Sequence, residues 1–84
     1  MAAYRVMITR DVLLFDKPGR RERLFLLRFL DSLAADPFQE GDFQDTDNDG
    51  RVVQIKIIGH YALTFWADHA AQEVRVTQFS EADY

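Results

Sequence analysis

Residues 50–79 constrain the fold more than any other part of the chain. They form three strand-like runs, 51–58, 60–67 and 73–79, separated by turns short enough for antiparallel hairpins. Gly59 makes the first connection and residues 68–72 the second. One helical segment, 20–35, precedes them: Leu26, Leu30 and Leu33 share a face, Phe25 and Phe29 lie beside it, and Arg28, Asp31 and Ser32 lie opposite. Pro18 suits the entrance to this helix, and Asp36-Pro37 ends it, because a residue before proline is pushed out of the helical region. The apolar arc is wider than a surface helix needs, which predicts cover on two sides, by the sheet and by something else.

The remaining segments complete a simple order. Residues 4–9 alternate, with Tyr4, Val6 and Ile8 against Arg5, Met7 and Thr9, as a strand does. Residues 11–16 fit either an extension of that strand or a short helix. Residues 38–49 read as a polar loop. The expected fold is α+β, a small, mainly antiparallel four-strand sheet with a helical segment packed on one face, in one domain spanning 1–84. Alternation puts Val53, Ile55, Ile57, Tyr61, Leu63, Phe65, Val74 and Val76 toward the helix. The open face would then hold Gln54, Lys56, His60, Ala62, Thr64, Trp66, Glu73, Arg75 and Thr77. Trp66 is the one large aromatic there, and marks a place for a protein partner.

Charge is unevenly spread. The net value of −4 argues against a general nucleic-acid binder, yet residues 1–35 carry +3, residues 36–49 carry −6 and residues 50–84 carry −1. Lys17, Arg20, Arg21 and Arg23 crowd the start of the helix, where cations oppose the helix dipole and a docked phosphate would relieve them. With Arg51 they are the candidate nucleic-acid contacts. The chain has no cysteine, which excludes disulfides and thiolate chemistry. It shows no signal-peptide core and no apolar run near the ~18 residues of a membrane span, so a soluble, cytoplasmic protein is expected.

Asp45, Asp47, Asp49 and Gly50 have the opening of a calcium loop, but Lys56 stands at the twelfth position, where a bidentate glutamate is needed. Nor do His60, Asp68, His69 and Glu73 match a paired-ligand spacing. No dinucleotide, P-loop or nucleophile-elbow signature is present. Neither a metal nor a cofactor is expected.

The element order carries a resemblance. Residues 4–9, the arginine-rich start of the helix, Ala35-Asp36-Pro37, Asp49-Gly50-Arg51, the run Ile57-Ile58-Gly59-His60-Tyr61-Ala62-Leu63-Thr64-Phe65, and Glu73-Val74-Arg75-Val76 together resemble the RelE/ParE toxin superfamily. The likeness covers about residues 4–79. It implies a toxin-like component of a bacterial type II toxin–antitoxin pair, of the kind linked to plasmid stabilisation, held by a cognate antitoxin protein. The target implied is messenger RNA on the ribosome, cut by an endoribonuclease, or DNA gyrase. A homodimer is compatible with it. Ala62 stands where the family's central strand has an arginine, so a nuclease would need Lys56, His60 and Arg75 to supply charge and proton transfer, with Tyr84 as the C-terminal aromatic. The second reading is a non-catalytic descendant that keeps the fold as a protein-binding module.

Overall fold

The computed structural model describes residues 4–82. Strand β1 (Arg5–Ile8) leads into a short helix α1 (Arg10–Leu14) and the long helix α2 (Arg20–Ala35). Strands β2 (Phe43–Thr46), β3 (Val52–Ile58), β4 (Tyr61–Asp68) and β5 (Glu73–Glu81) follow. The sheet order is β1-β5-β4-β3-β2, antiparallel throughout except for the parallel pair β1 and β5. Both helices cover one face. Among the described residues no helix is long and apolar enough to cross a membrane.

The segment that read two ways, 11–16, opens as helix. Leu13 N–H donates to the Thr9 carbonyl at 3.2 Å, Val12 is buried, and Phe15 then meets Phe79 and Tyr61 edge-on. The helix α2 has the bounds its periodicity predicts, and Asp36 ends it with its N–H on the Ser32 carbonyl at 2.8 Å. Its Leu30 and Leu33 join Ile58, Leu63, Phe65, Val74, Val76 and Phe79 in the core, with Phe29 set against Phe65 at 5.4 Å between ring centroids.

The sheet has five strands rather than four. The added strand β2 lies within the predicted loop, and all four of its residues are exposed. Backbone pairing, not burial, makes it a strand: Phe43 pairs with Ile55 and Thr46 with Val52. Gly41 and Asp42 pin its start. A Cβ on Gly41 would lie 2.5 Å from the Ile55 carbonyl oxygen, so only glycine lets the chain run so close to β3. Asp42 N–H donates to that carbonyl at 2.8 Å, and the Asp42 carboxylate accepts the Ile57 N–H at 2.8 Å.

One expectation is overturned, and the cause is a single residue of register. Counting Gly59 alone as the turn sets Ile57 opposite Tyr61. The turn is instead Gly59-His60, with Gly59 in the left-handed region at φ 62°, and Ile58 pairs with Tyr61. A one-residue slip sends every side chain of a strand to the other face. Gln54, Lys56 and Ile58 therefore share the helix side with Tyr61, Leu63 and Phe65, while Val53, Ile55 and Ile57 turn to the open face. A second irregularity lies between β4 and β5, where Thr64 pairs with Gln78 but Phe65 with Val76. Thr77 is the extra residue of this bulge, which restores Phe79 to the core.

Candidate functional site

The open sheet face is the first candidate surface; among the described residues no element packs over it. Its middle is apolar, with Ile55 and Ile57 on β3, Ala62 and Thr64 on β4, and Trp66 at the end toward β5's start. Val53 is 5% exposed yet lies outside the core cluster beneath the helices.

Cations surround this strip, and each is matched by a carboxylate. Parallel pairing of β1 with β5 sets Arg5 opposite Glu73, and Arg5 Nη2 reaches Glu73 Oε2 at 2.7 Å. Arg75 Nη2 donates to the other oxygen of Glu73 at 2.9 Å, and Arg75 Nε lies 3.6 Å from Asp68 Oδ2. Glu73 is 6% exposed, the only buried charged residue among those described. Guanidinium partners on both oxygens offset the cost of enclosing that carboxylate. Arg51 donates to Asp47 at 3.1 Å and lies over the Trp66 ring with its guanidinium carbon 3.9 Å from the centroid, while that of Arg75 is 5.8 Å away. Trp66 is thus partly covered by this protein's own arginines.

The three residues expected to act together on RNA do not converge. Arg75 is on the open face, bound to Glu73 and Asp68. Lys56 is on the helix side, 3.6 Å from Asp42 Oδ1 and 5.8 Å from the Phe29 ring centroid. His60 occupies the hairpin turn, exposed, its carbonyl accepting the Ala82 N–H at 2.8 Å. Tyr84 lies outside the described residues. Sequence reasoning weighed Glu73 and Asp68 as metal ligands, whose spacing they do not match, and missed Arg5. No local pattern links positions 5 and 73; only the β1–β5 pairing does.

The acidic turn has a structural task. Asp47 Oδ1 accepts the N–H groups of Asp49 and Arg51, both at 2.9 Å, closing the hairpin between β2 and β3.

The helix start forms a second surface. Arg23, though exposed, donates to the Pro18 and Asp16 carbonyls at 3.2 and 3.1 Å, and Lys17 meets Glu81 at 3.3 Å. Arg20 and Arg21 are exposed with no side-chain partner among the described residues. Leu13, 68% exposed, and Leu27, 59% exposed, line one cleft together with Arg23.

A five-strand mixed sheet with both helices on one face, reached in this order, is the RelE type of α+β fold. The crystal structure of an archaeal RelE–RelB complex from Pyrococcus horikoshii OT3 contains a chain that superposes with a TM-score of 0.76, covering 95% of this chain and 96% of that one. Sequence identity between them is 14%, so what they share is the fold. No protein-family model matches the sequence, and no curated protein matches it either.

Proposed function

We propose that this protein is the toxin-like member of a toxin–antitoxin pair, held by an antitoxin-like protein, and that it acts on its target by binding rather than by cutting RNA. The observation that carries the second half is the neutral open face. Arg5, Arg51 and Arg75 each already engage a carboxylate, and Lys56 lies on the other side of the sheet. Phosphate stabilisation in a cleaving site depends on donors free to meet developing charge. Here a phosphate would have to displace Glu73 or Asp47 first. Inhibition by occupation, of a gyrase-type target, has no such requirement. The first half is supported by the shared fold with a protein solved as a RelE–RelB complex and by the uncovered leucines of α1 and α2.

The exposed leucines also favour a second reading, a protein-binding module without toxicity. Induced expression separates the readings. Growth arrest without ribosome-dependent cleavage of messenger RNA, relieved by co-expression of the neighbouring reading frame's product, is the expected result. Cleavage would overturn the binding mode, and absence of arrest would leave the module.

A further inference from the structure

Beyond the end of α2, a cavity of about 440 Å³ lies between the loop that follows the helix and the adjoining end of β3 and β4. Val52 and Phe65 give it an apolar floor. One wall is flat, because the Phe38 ring stacks on the His69 ring with centroids 4.8 Å apart and planes 16° from parallel. Tyr4 holds His69 in place: its hydroxyl lies 2.8 Å from Nδ1 and its ring meets the imidazole edge-on at 5.6 Å. The entry to β1, the loop after α2 and the turn after β4 thus build this wall together.

The polar groups of the lining favour a cation. Glu40 has no side-chain hydrogen bond or ion pair among the described residues. Gln39 commits its Nε2 to the Ser32 hydroxyl at 3.1 Å, which leaves its Oε1 as an acceptor. Arg51 also borders the cavity, but Asp47 balances its charge at 3.1 Å. Residues 36–49 around the cavity carry six acids and no base.

We propose that this cavity binds a guanidinium group, stacked on the Phe38–His69 wall and bridged to the Glu40 carboxylate. The site is separate from the open sheet face and from the leucines of α1 and α2, and does not depend on the toxin–antitoxin reading. An unpaired carboxylate beside aromatic rings selects a cation, whereas a neutral apolar ligand would strip water from Glu40 without compensation. Among cations, shape selects the guanidinium. It is flat, it reaches both oxygens of a carboxylate at once, and it is more weakly hydrated than an ammonium. The protein already holds one guanidinium in this manner at the rim of the same cavity. Arg51 lies over the Trp66 ring at 3.9 Å and donates to Asp47 at 3.1 Å. The volume falls within the roughly 300–1,000 Å³ of small-molecule sites. A free arginine-like compound and an arginine side chain in a peptide share this chemistry.

The test titrates the full chain, isotope-labelled for NMR, with L-arginine and with acetyl-Gly-Arg-Gly-amide. L-lysine and acetyl-Gly-Lys-Gly-amide, of matching charge, are the controls. At least one arginine probe is expected to shift the signals of residues 38–40, Val52 and His69 with a single midpoint. The corresponding lysine probe should bind about tenfold more weakly, the order of one lost charge-assisted hydrogen bond. Glu40→Gln and Phe38→Leu, both at exposed positions, should each weaken the arginine probe severalfold or more while leaving the thermal melting of the protein in place. If a variant melts early, its partner variant carries the test. Binding of L-arginine alone assigns a free compound, and binding of the peptide alone or equally assigns an arginine side chain; either supports the site. Equal binding of arginine and lysine probes, shifts confined to the acidic turn at residues 47–50, an unaltered midpoint in a stably folded Glu40→Gln, or no saturable shift with either arginine probe would overturn it.

Discussion

Lys56 and Leu63 face each other across β3 and β4, so the lysine projects to the side that the helices cover. Its ammonium lies 3.6 Å from Asp42 and 5.8 Å from the Phe29 ring. That one pairing separates it from Arg75, which projects from the opposite face beside Trp66. No rotation of side chains can bring both onto one phosphate.

Lys56→Ala should therefore leave any growth phenotype of the protein unchanged. Its ion pair with Asp42 is long and both groups are partly exposed, which limits its worth to about 1 kcal/mol or less. Thermal unfolding of purified wild type and variant, beside an induction assay, checks both halves. Loss of growth arrest with unchanged melting would assign Lys56 a role in target binding.

What could be read from residue order depended on the kind of force behind each element. The bounds of α2 were legible because apolar spacing and Asp36-Pro37 act within the segment itself. So was the meander of β3, β4 and β5, from alternation and turn residues. The strand β2 was not, since its four residues are exposed and only backbone pairing with β3 holds them. The face of β3 turned on whether His60 belonged to the strand or to the turn, a choice that alternation alone does not make. The Arg5–Glu73–Arg75 group was hidden for a different reason: its first and second members are 68 positions apart and meet only when β1 joins β5 in parallel.

Arg51→Ala should uncover the indole of Trp66. A cation over a ring contributes roughly 0.5–2 kcal/mol, depending on how far it is desolvated, and this one lies 3.9 Å from the centroid. Since Trp66 is the chain's only tryptophan, its fluorescence reports the site directly. The variant should show red-shifted emission and stronger acrylamide quenching, with a modest fall in stability. Unchanged emission would mean that Arg51 does not cover the ring in solution.

Gly41→Ala should be among the most damaging small substitutions. Its Cβ would meet the backbone of Ile55 at 2.5–2.8 Å, and backbone atoms in a paired strand cannot yield as a flexible side chain can. Forcing a methyl group into such a space typically costs about 1–3 kcal/mol. The loss should centre on β2, so hydrogen exchange at residues 42–46 should quicken more than exchange in β4. Gly50→Ala offers a contrast: nothing lies within 4 Å of its Cβ position, and its cost comes only from φ 78°.

Glu73→Ala tests the neutral open face itself. The Glu73 carboxylate is buried and serves two guanidiniums, Arg5 at 2.7 Å and Arg75 at 2.9 Å. Removing it leaves two arginines short of a partner beside the Asp68 carboxylate, and losing such a charged hydrogen-bond partner costs about 1–3 kcal/mol. The same change raises the positive charge of the face next to Trp66. Binding of single-stranded RNA, measured by fluorescence anisotropy, should then appear or strengthen in the variant and weaken steeply with added salt. If the wild type already binds RNA and Glu73→Ala abolishes that binding, the carboxylate belongs to a working nucleic-acid site. The proposal of action by binding without cleavage would then fall. If the variant gains RNA binding and still cuts no messenger RNA, then Glu73 neutralises this face and catalysis does not follow from freeing its arginines.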